Sequence, residues 1–281
     1  MTLVAALMVG CGTTSKVPIT GRKQTLMVSD GDMLSLSTQQ YQQYMKTAKP
    51  SANANNTAMV KRVGQNLANA VTTYLQANGY ASELQNFAWE FNLVQDQQVN
   101  AWCMPGGKIV VYEGLLPVTQ DEASLAIVLG HEIAHAVAKH SAERISQEYK
   151  QQYGAAIIGT VAQAAGASQG TQQLINMVQQ VGGSLLTSGF SRKQESEADR
   201  MGLVFAAMAG YNPNVATTFW QRMAAQGSGG GGLFSDHPSD ADRIRDIQKW
   251  MPEALRYYNG GGTSATTAPA KSARSFRFTT R

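Results

Sequence analysis

The sequence predicts an α+β fold, mostly helical with a small β-sheet, and three observations predict it. Long segments with apolar residues three or four apart lie on both sides of a central region. Within that region FAWEFNLV, from residue 87, and KIVVY, at 108–112, carry strand signatures. Directly after them, GHEIAHAVAKH at 130–140 holds three of the four histidines in 281 residues, within a helix-patterned segment.

Each element follows from its pattern. After a polar leader, SLSTQQYQQYMKTAK predicts one helix and AMVKRVGQNLANAVTTYLQ a second, with Met59, Val63, Leu67, Val71 and Leu75 recurring every four residues. Phe87, Trp89, Phe91 and Leu93 alternate with Ala88, Glu90 and Asn92, the period of a half-buried strand. KIVVY is β-branched and is entered through Pro105-Gly106-Gly107. Thr119, Asp121 and Glu122 open the long helix with the histidines, their acids lying where the helix dipole favours them. Residues 154–189 are rich in Ala, Gly and Gln and predict a helical insertion, too short and polar for a membrane span. Further helices are expected over 193–209 and, from Pro213, over 213–226. GSGGGG makes a loop, and Ser239 with Asp242 predicts a capped last helix through Tyr257.

Composition narrows the function. Hydrophobic residues at 43% and charged residues at 15% indicate a globular chain. The net charge of +4 is carried by Lys271, Arg274, Arg277 and Arg281 in a tail without acids, so the body is formally neutral and no nucleic-acid surface is expected.

Chemistry concentrates on the histidine helix. His131 and His135 lie about 40° apart on one face, so both imidazoles can reach one ion. Glu132, about 100° round from His131, can contact a water at that ion without binding it. A catalytic zinc site needs three protein ligands and an open position. KQESEADRMG supplies Glu195 as the third, with Asp199 one turn on to accept the free N–H of a ligand histidine. Glu197 competes for the ligand role but has no acid four residues later. His140, five past His135, points off the ligand face of a continuous helix and is expected to be structural. His237, in SDHPSD, has three readings: donor to a developing oxyanion, occupant of the open metal position, or loop residue. Arg243 either helps at the oxyanion or pairs with a neighbour on its helix.

HEIAH, ESEAD, NAWCMPGGKIVVYEGLL and DHPSDADRI, in this order, resemble the gluzincin peptidases that include the CAAX prenyl proteases, HtpX and the periplasmic lipoproteins LoiP and BepA. KVPITGRKQ resembles the leader of the lipoprotein branch. The resemblance covers residues 11–257 and implies a zincin-type metallopeptidase fold. It implies one zinc per chain on His131, His135 and Glu195, with Glu132 as general base. Likeness to BepA suggests that His237 caps the metal in a latent state. The membrane-spanning helices of HtpX and the helical repeats of BepA have no counterpart in this sequence.

NAWCMPGGKIVVYEGLL is expected to border the cleft, with Asn100, Gly106, Gly107, Ile109 and Val111 along an exposed edge that binds an extended polypeptide; a hairpin of the core sheet is the compatible alternative. At the N-terminus, Leu7 to Cys11 ends a ten-residue apolar run and resembles a bacterial lipobox, with Cys11 as the lipidated residue. Gly12 after it favours outer-membrane sorting by the same resemblance. The expected organisation is a signal remnant at 1–10, a lipidated leader at 11–29, a zinc metallopeptidase domain at 30–259 and a disordered basic tail at 260–281. The expected function is proteolysis of unfolded or misassembled proteins at the periplasmic face of the outer membrane, in a bacterial cell envelope. The alternative is a chaperone-like assembly factor whose zinc is structural or a switch.

Overall fold

The computed structural model describes residues 13–148, 150–151, 189–225 and 241–258. The expected insertion at 154–189 falls almost wholly outside them, as do GSGGGG, the Ser239 cap, the basic tail, Cys11 and His237.

The chain enters as a hairpin where the sequence pattern gives only a polar leader. β1 (Thr13–Lys16) pairs antiparallel with β2 (Lys23–Leu26). Between them Val17 is fully buried in the main core, and its N–H bonds the Arg22 carbonyl at 2.8 Å. Helix α1 (Asp30–Met45) begins five residues earlier than its apolar pattern indicates, capped by Ser29, whose hydroxyl accepts from the Asp32 N–H. Helix α2 (Ala54–Ala77) buries Val60, Val63, Leu67, Val71 and Leu75. Met59 is only half-buried. A strict interval of four drifts about 40° per step, so Val60 replaces Met59 on the core face.

Three strands form the central sheet, β3 (Glu90–Val94), β4 (Ala101–Met104) and β5 (Lys108–Tyr112), in the order β3-β5-β4. Phe87 and Trp89 precede β3 and stack on each other, ring centroids 4.6 Å apart. Met104 to Gly107 makes a type II turn, with Pro105 second and Gly106 third at φ 93°, where a side chain would be strained.

This order corrects the expected edge strand. β5 is central, parallel to β3 and antiparallel to β4. Ile109 and Val111 are fully buried in the main core, while Val110 and Tyr112 face a second cluster with Tyr41 and Trp102. KIVVY is continuously apolar because both its faces are covered, so Ile109 and Val111 have no surface to offer a substrate. The edge beside the histidine helix belongs to β4. The Asn100 carbonyl bonds the Tyr112 N–H and the Met104 carbonyl bonds the Gly107 N–H. By antiparallel alternation the backbone groups of Ala101 and Cys103 therefore point away from β5.

After the short α3 (Leu116–Thr119), Gln120 at φ 67° turns the chain, and Asp121 caps α4 (Glu122–Val137) by accepting from the Ser124 N–H at 2.6 Å. Thr119 thus closes α3 rather than opening α4. Every residue of α4 from Ser124 to Val137 is buried, as expected of a helix enclosed on all sides. Residues 140–148 are again helical. α5 (Arg192–Met208) starts in a capping box of Ser191 and Gln194, and α6 (Val215–Ala225) and α7 (Ala241–Leu255) complete the described chain. Among the described residues no helix is long and apolar enough to cross a membrane.

α4 and α5 meet backbone to backbone. A Cβ on Gly130 would stand 2.7 Å from the Gly202 carbonyl oxygen, and one on Gly202 would stand 2.6 Å from the His131 nitrogen. Neither obstacle is a flexible side-chain end, so the helices must separate to admit a methyl group. Gly202→Ala is expected to cost about 1–3 kcal/mol by overpacking, lowering the melting temperature of the metal-free protein; an unchanged melt would refute this tight crossing.

Candidate metal centre

One turn of α4 and the first turn of α5 bring three donors together. His131 Nε2 and His135 Nε2 are 3.0 Å apart. The Glu195 carboxylate stands 3.5 Å from the first and 3.4 Å from the second. Among the described residues these three form a group that could hold a metal ion, all of them buried. A tetrahedral zinc with bonds of about 2.0–2.1 Å spaces its ligands about 3.3–3.4 Å apart. The three separations bracket that value, so two imidazoles and a carboxylate fit such an ion without rearrangement. Glu197, the competing ligand, accepts instead from Thr20, Arg22 and His140.

Outer groups fix each imidazole. His131 Nδ1 lies 2.8 Å from Asp199 Oδ1, a contact that suits the orienting role proposed for that acid. Arg243 donates to the same oxygen at 2.5 Å, stands 3.7 Å from Glu195 and lies 3.4 Å over the Trp220 ring. It is buried and braces the ligand carboxylates from α7, which is more than a pairing along its own helix. On the other side, Phe190 stacks on His135 with centroids 4.0 Å apart.

His140 is not where a continuous helix would put it. α4 stops at Val137, and Lys139 takes a left-handed φ of 57°, its ammonium held by Asp30 at 2.8 Å and Glu83 at 2.7 Å. The chain therefore turns back, and His140 Nδ1 comes 2.9 Å from His135 Nδ1. The sequence signal for this stop is weak, since no glycine marks it. Arg22, Thr20 and Glu143 were likewise missed; the leader segment KVPITGRKQ is the only hint of the first two, and nothing in the pattern marks Glu143.

Electrostatics divide the two ligands. Burial disfavours a charged His131, but Asp199 and Glu195 outweigh it and raise the imidazole to about 9. Burial, aided by the charge on His131, pushes His135 well below its ordinary value. In the metal-free protein His131 is thus the protonated partner, donating Nε2–H to the neutral His135. Glu132, also buried on α4, lies close enough to β4 that its charge adds to burial in raising the Cys103 thiol. Burial raises Glu197, yet hydrogen bonds from His140, Arg22 and Thr20 prevail and bring it to about 2.

Fold and donor set together define a gluzincin-type metallopeptidase domain: a two-histidine helix with a glutamate beside the first histidine, and a third candidate donor from a second helix. Residues 54–251 match the model of peptidase family M48, and the chain belongs to that family. It is 42% identical to the mitochondrial metalloendopeptidase OMA1 of Schizosaccharomyces pombe over 62% of this chain and 50% of that protein. With the human mitochondrial metalloendopeptidase OMA1 it shares 28% identity over 85% of this chain and 46% of the other. With the metalloprotease LoiP of Escherichia coli it shares 28% over 62% and 68% respectively. The chain thus spans about half the length of the mitochondrial relatives.

A proton on His131 sets a pH dependence for metal uptake. Zinc must displace that proton at any pH below about 9, so apparent affinity should fall about tenfold per pH unit below that value. Calorimetric titration of zinc near pH 7.5, in buffers of different ionisation enthalpy, should show about one proton released; no release would contradict the assigned state.

Proposed function

We propose that this chain is a zinc metalloendopeptidase, with one zinc on His131, His135 and Glu195, that cleaves extended segments of unfolded or misassembled cell-envelope proteins. The observation that carries the reading is the convergence of three buried donors at zinc-like separations on the helix that also presents Glu132. Membership of family M48 supports it. His131, His135 and Glu195 would hold the zinc, which when bound would supply Lewis-acid polarisation of the scissile carbonyl and of the attacking water. Glu132 takes the proton from that water and returns it to the leaving amine. Asp199 and Arg243 hold His131 in the tautomer that leaves Nε2 free for the metal.

The substrate chain lies along the outward edge of β4, where backbone pairing gives affinity with little sequence preference. Proximity of Glu132 to Cys103 favours this edge. Asn100 and Gly106 mark its two ends, with Gly107 completing the turn. Gly106 also lines a recess with Met33, Leu34, Phe87 and His135, suited to an apolar substrate side chain. His237 is assigned to the metal's open position or to the oxyanion on sequence grounds alone. The cell-envelope setting rests on the lipobox-like residues at Cys11 and on likeness to the lipoprotein branch.

Two measurements test these assignments. Glu132→Gln keeps size and hydrogen-bonding reach, so zinc should remain at about one per chain. Casein hydrolysis should drop by about 10² to 10⁴ while client binding persists. His135→Ala should lose metal and activity together; wild-type turnover by Glu132→Gln would refute Glu132 as the general base, and absence of hydrolysis in the zinc-loaded wild type would leave the chaperone-like reading. For the anchor, Cys11→Ser should move the protein from the membrane to the soluble fraction of a bacterial host. Labelled fatty acid still entering the mutant would refute lipidation at Cys11.

A further inference from the structure

We propose that the leader hairpin is part of the metal centre: Arg22 holds Glu197, Glu197 fixes the tautomer of His140, and His140 orients the ligand His135. The proposal rests on the reading that His131, His135 and Glu195 hold zinc.

Proton placement along this path has one solution. His135 faces the metal position with Nε2, so that nitrogen must keep its lone pair and the proton sits on Nδ1. Its neighbour at 2.9 Å is His140 Nδ1, which must then accept. His140 therefore carries its proton on Nε2, 3.1 Å from Glu197 Oε2, and donates it there. His140 is fully buried and its carbonyl accepts from the Gln194 amide, so neither ring nor backbone is free to take another pose.

Glu197 is held in turn by the leader. Arg22 Nε donates to Glu197 Oε2 at 2.7 Å, and its two terminal nitrogens bind Glu143 at 2.6 and 2.9 Å. Thr20 adds a bond to the other Glu197 oxygen at 2.5 Å. The turn that presents Thr20 and Arg22 is itself constrained. Val17 is buried in the core, and Ile19 sits at φ 63°, a conformation β-branched residues avoid unless their surroundings enforce it. One guanidinium against two carboxylates leaves an excess negative charge behind His135, which favours a dication on its far side.

The test uses the full chain, comparing wild type, His140→Leu, His140→Asn and Arg22→Gln. Zinc affinity is read by competition with a chromophoric chelator, ligand geometry by the visible spectrum of the cobalt(II)-loaded protein, and folding by the melt of the metal-free form. Loss of an outer partner of a ligand histidine lowers metal affinity about 10- to 100-fold, and that loss is expected for His140→Leu with a shifted cobalt spectrum. His140→Asn, which keeps an acceptor near the Nδ1 position, should recover most of the affinity. Arg22→Gln should weaken zinc at least threefold, with a smaller spectral shift. Zinc binding within twofold of wild type in His140→Leu or Arg22→Gln overturns the proposal. So does a loss that His140→Asn does not relieve, and so does one matched by the metal-free melt with an unchanged spectrum. Should His140→Leu not fold, the Asn and Arg22 variants decide by the same limits. A wild-type chain that binds no zinc would instead sink the metal-centre reading itself.

Discussion

The backbone contact of α4 and α5 at Gly130 and Gly202 sets the geometry on which the metal centre depends. Glu195 lies seven residues before Gly202, two turns along the same face of α5. The distance between the helix axes at the crossing is therefore passed almost directly to the gap between the carboxylate and the two imidazoles. Those gaps are 3.0–3.5 Å, and a bond to zinc tolerates a few tenths of an ångström. A methyl group at either glycine would consume more than that tolerance. The conditions that make α4 a ligand platform, full enclosure and close packing, also oblige every polar group on it to be satisfied internally.

Charge is the second consequence of enclosure. Glu143, Glu195, Glu197 and Asp199 are all buried, and isolated buried carboxylates are costly. Among the described residues Arg22 and Arg243 answer them directly, each reaching two carboxylates. Two negative charges remain, the number a divalent cation neutralises. Glu132 adds one further carboxylate, the one whose protonation changes in the proposed reaction. The acids behind the three donors would thus act as a counter-charge for a bound metal as well as orienting devices.

How legible this was in the sequence depended on whether neighbours in space were neighbours in the chain. His131, Glu132 and His135 are set by helix periodicity, as are Glu195 and Asp199, and the pattern places them without reference to anything distant. KIVVY misled because an apolar run is shared by any strand with two covered faces. Its position between β3 and β4 is decided by pairing partners up to 18 residues away, as between Glu90 and Lys108. His140 misled because a helix stop needs a φ that Lys139 adopts only with Asp30 and Glu83 to hold its side chain. Arg22 could not be assigned at all, since its partners lie 121 and 175 residues further on.

The two ligand histidines are consequently held in different ways. His131 is braced by Asp199 and Arg243, which belong to α5 and α7 and are fixed by the same packing that fixes the ligands. His135 is braced through His140 by a carboxylate whose cation comes from the leader, a segment secured by the buried Val17 and a short antiparallel pairing. The weaker support is therefore the one closest to the N-terminus. Only Gly12 separates Cys11 from β1, and the two chain steps span at most about 7 Å. An acyl chain on Cys11 would hold β1 close to the lipid headgroups, so forces on the anchor would act within one short hairpin of the Arg22 contacts. A lipidated leader would then carry load at the side of the metal centre that depends on its docking, while His131 and Glu195 remain secured by the core.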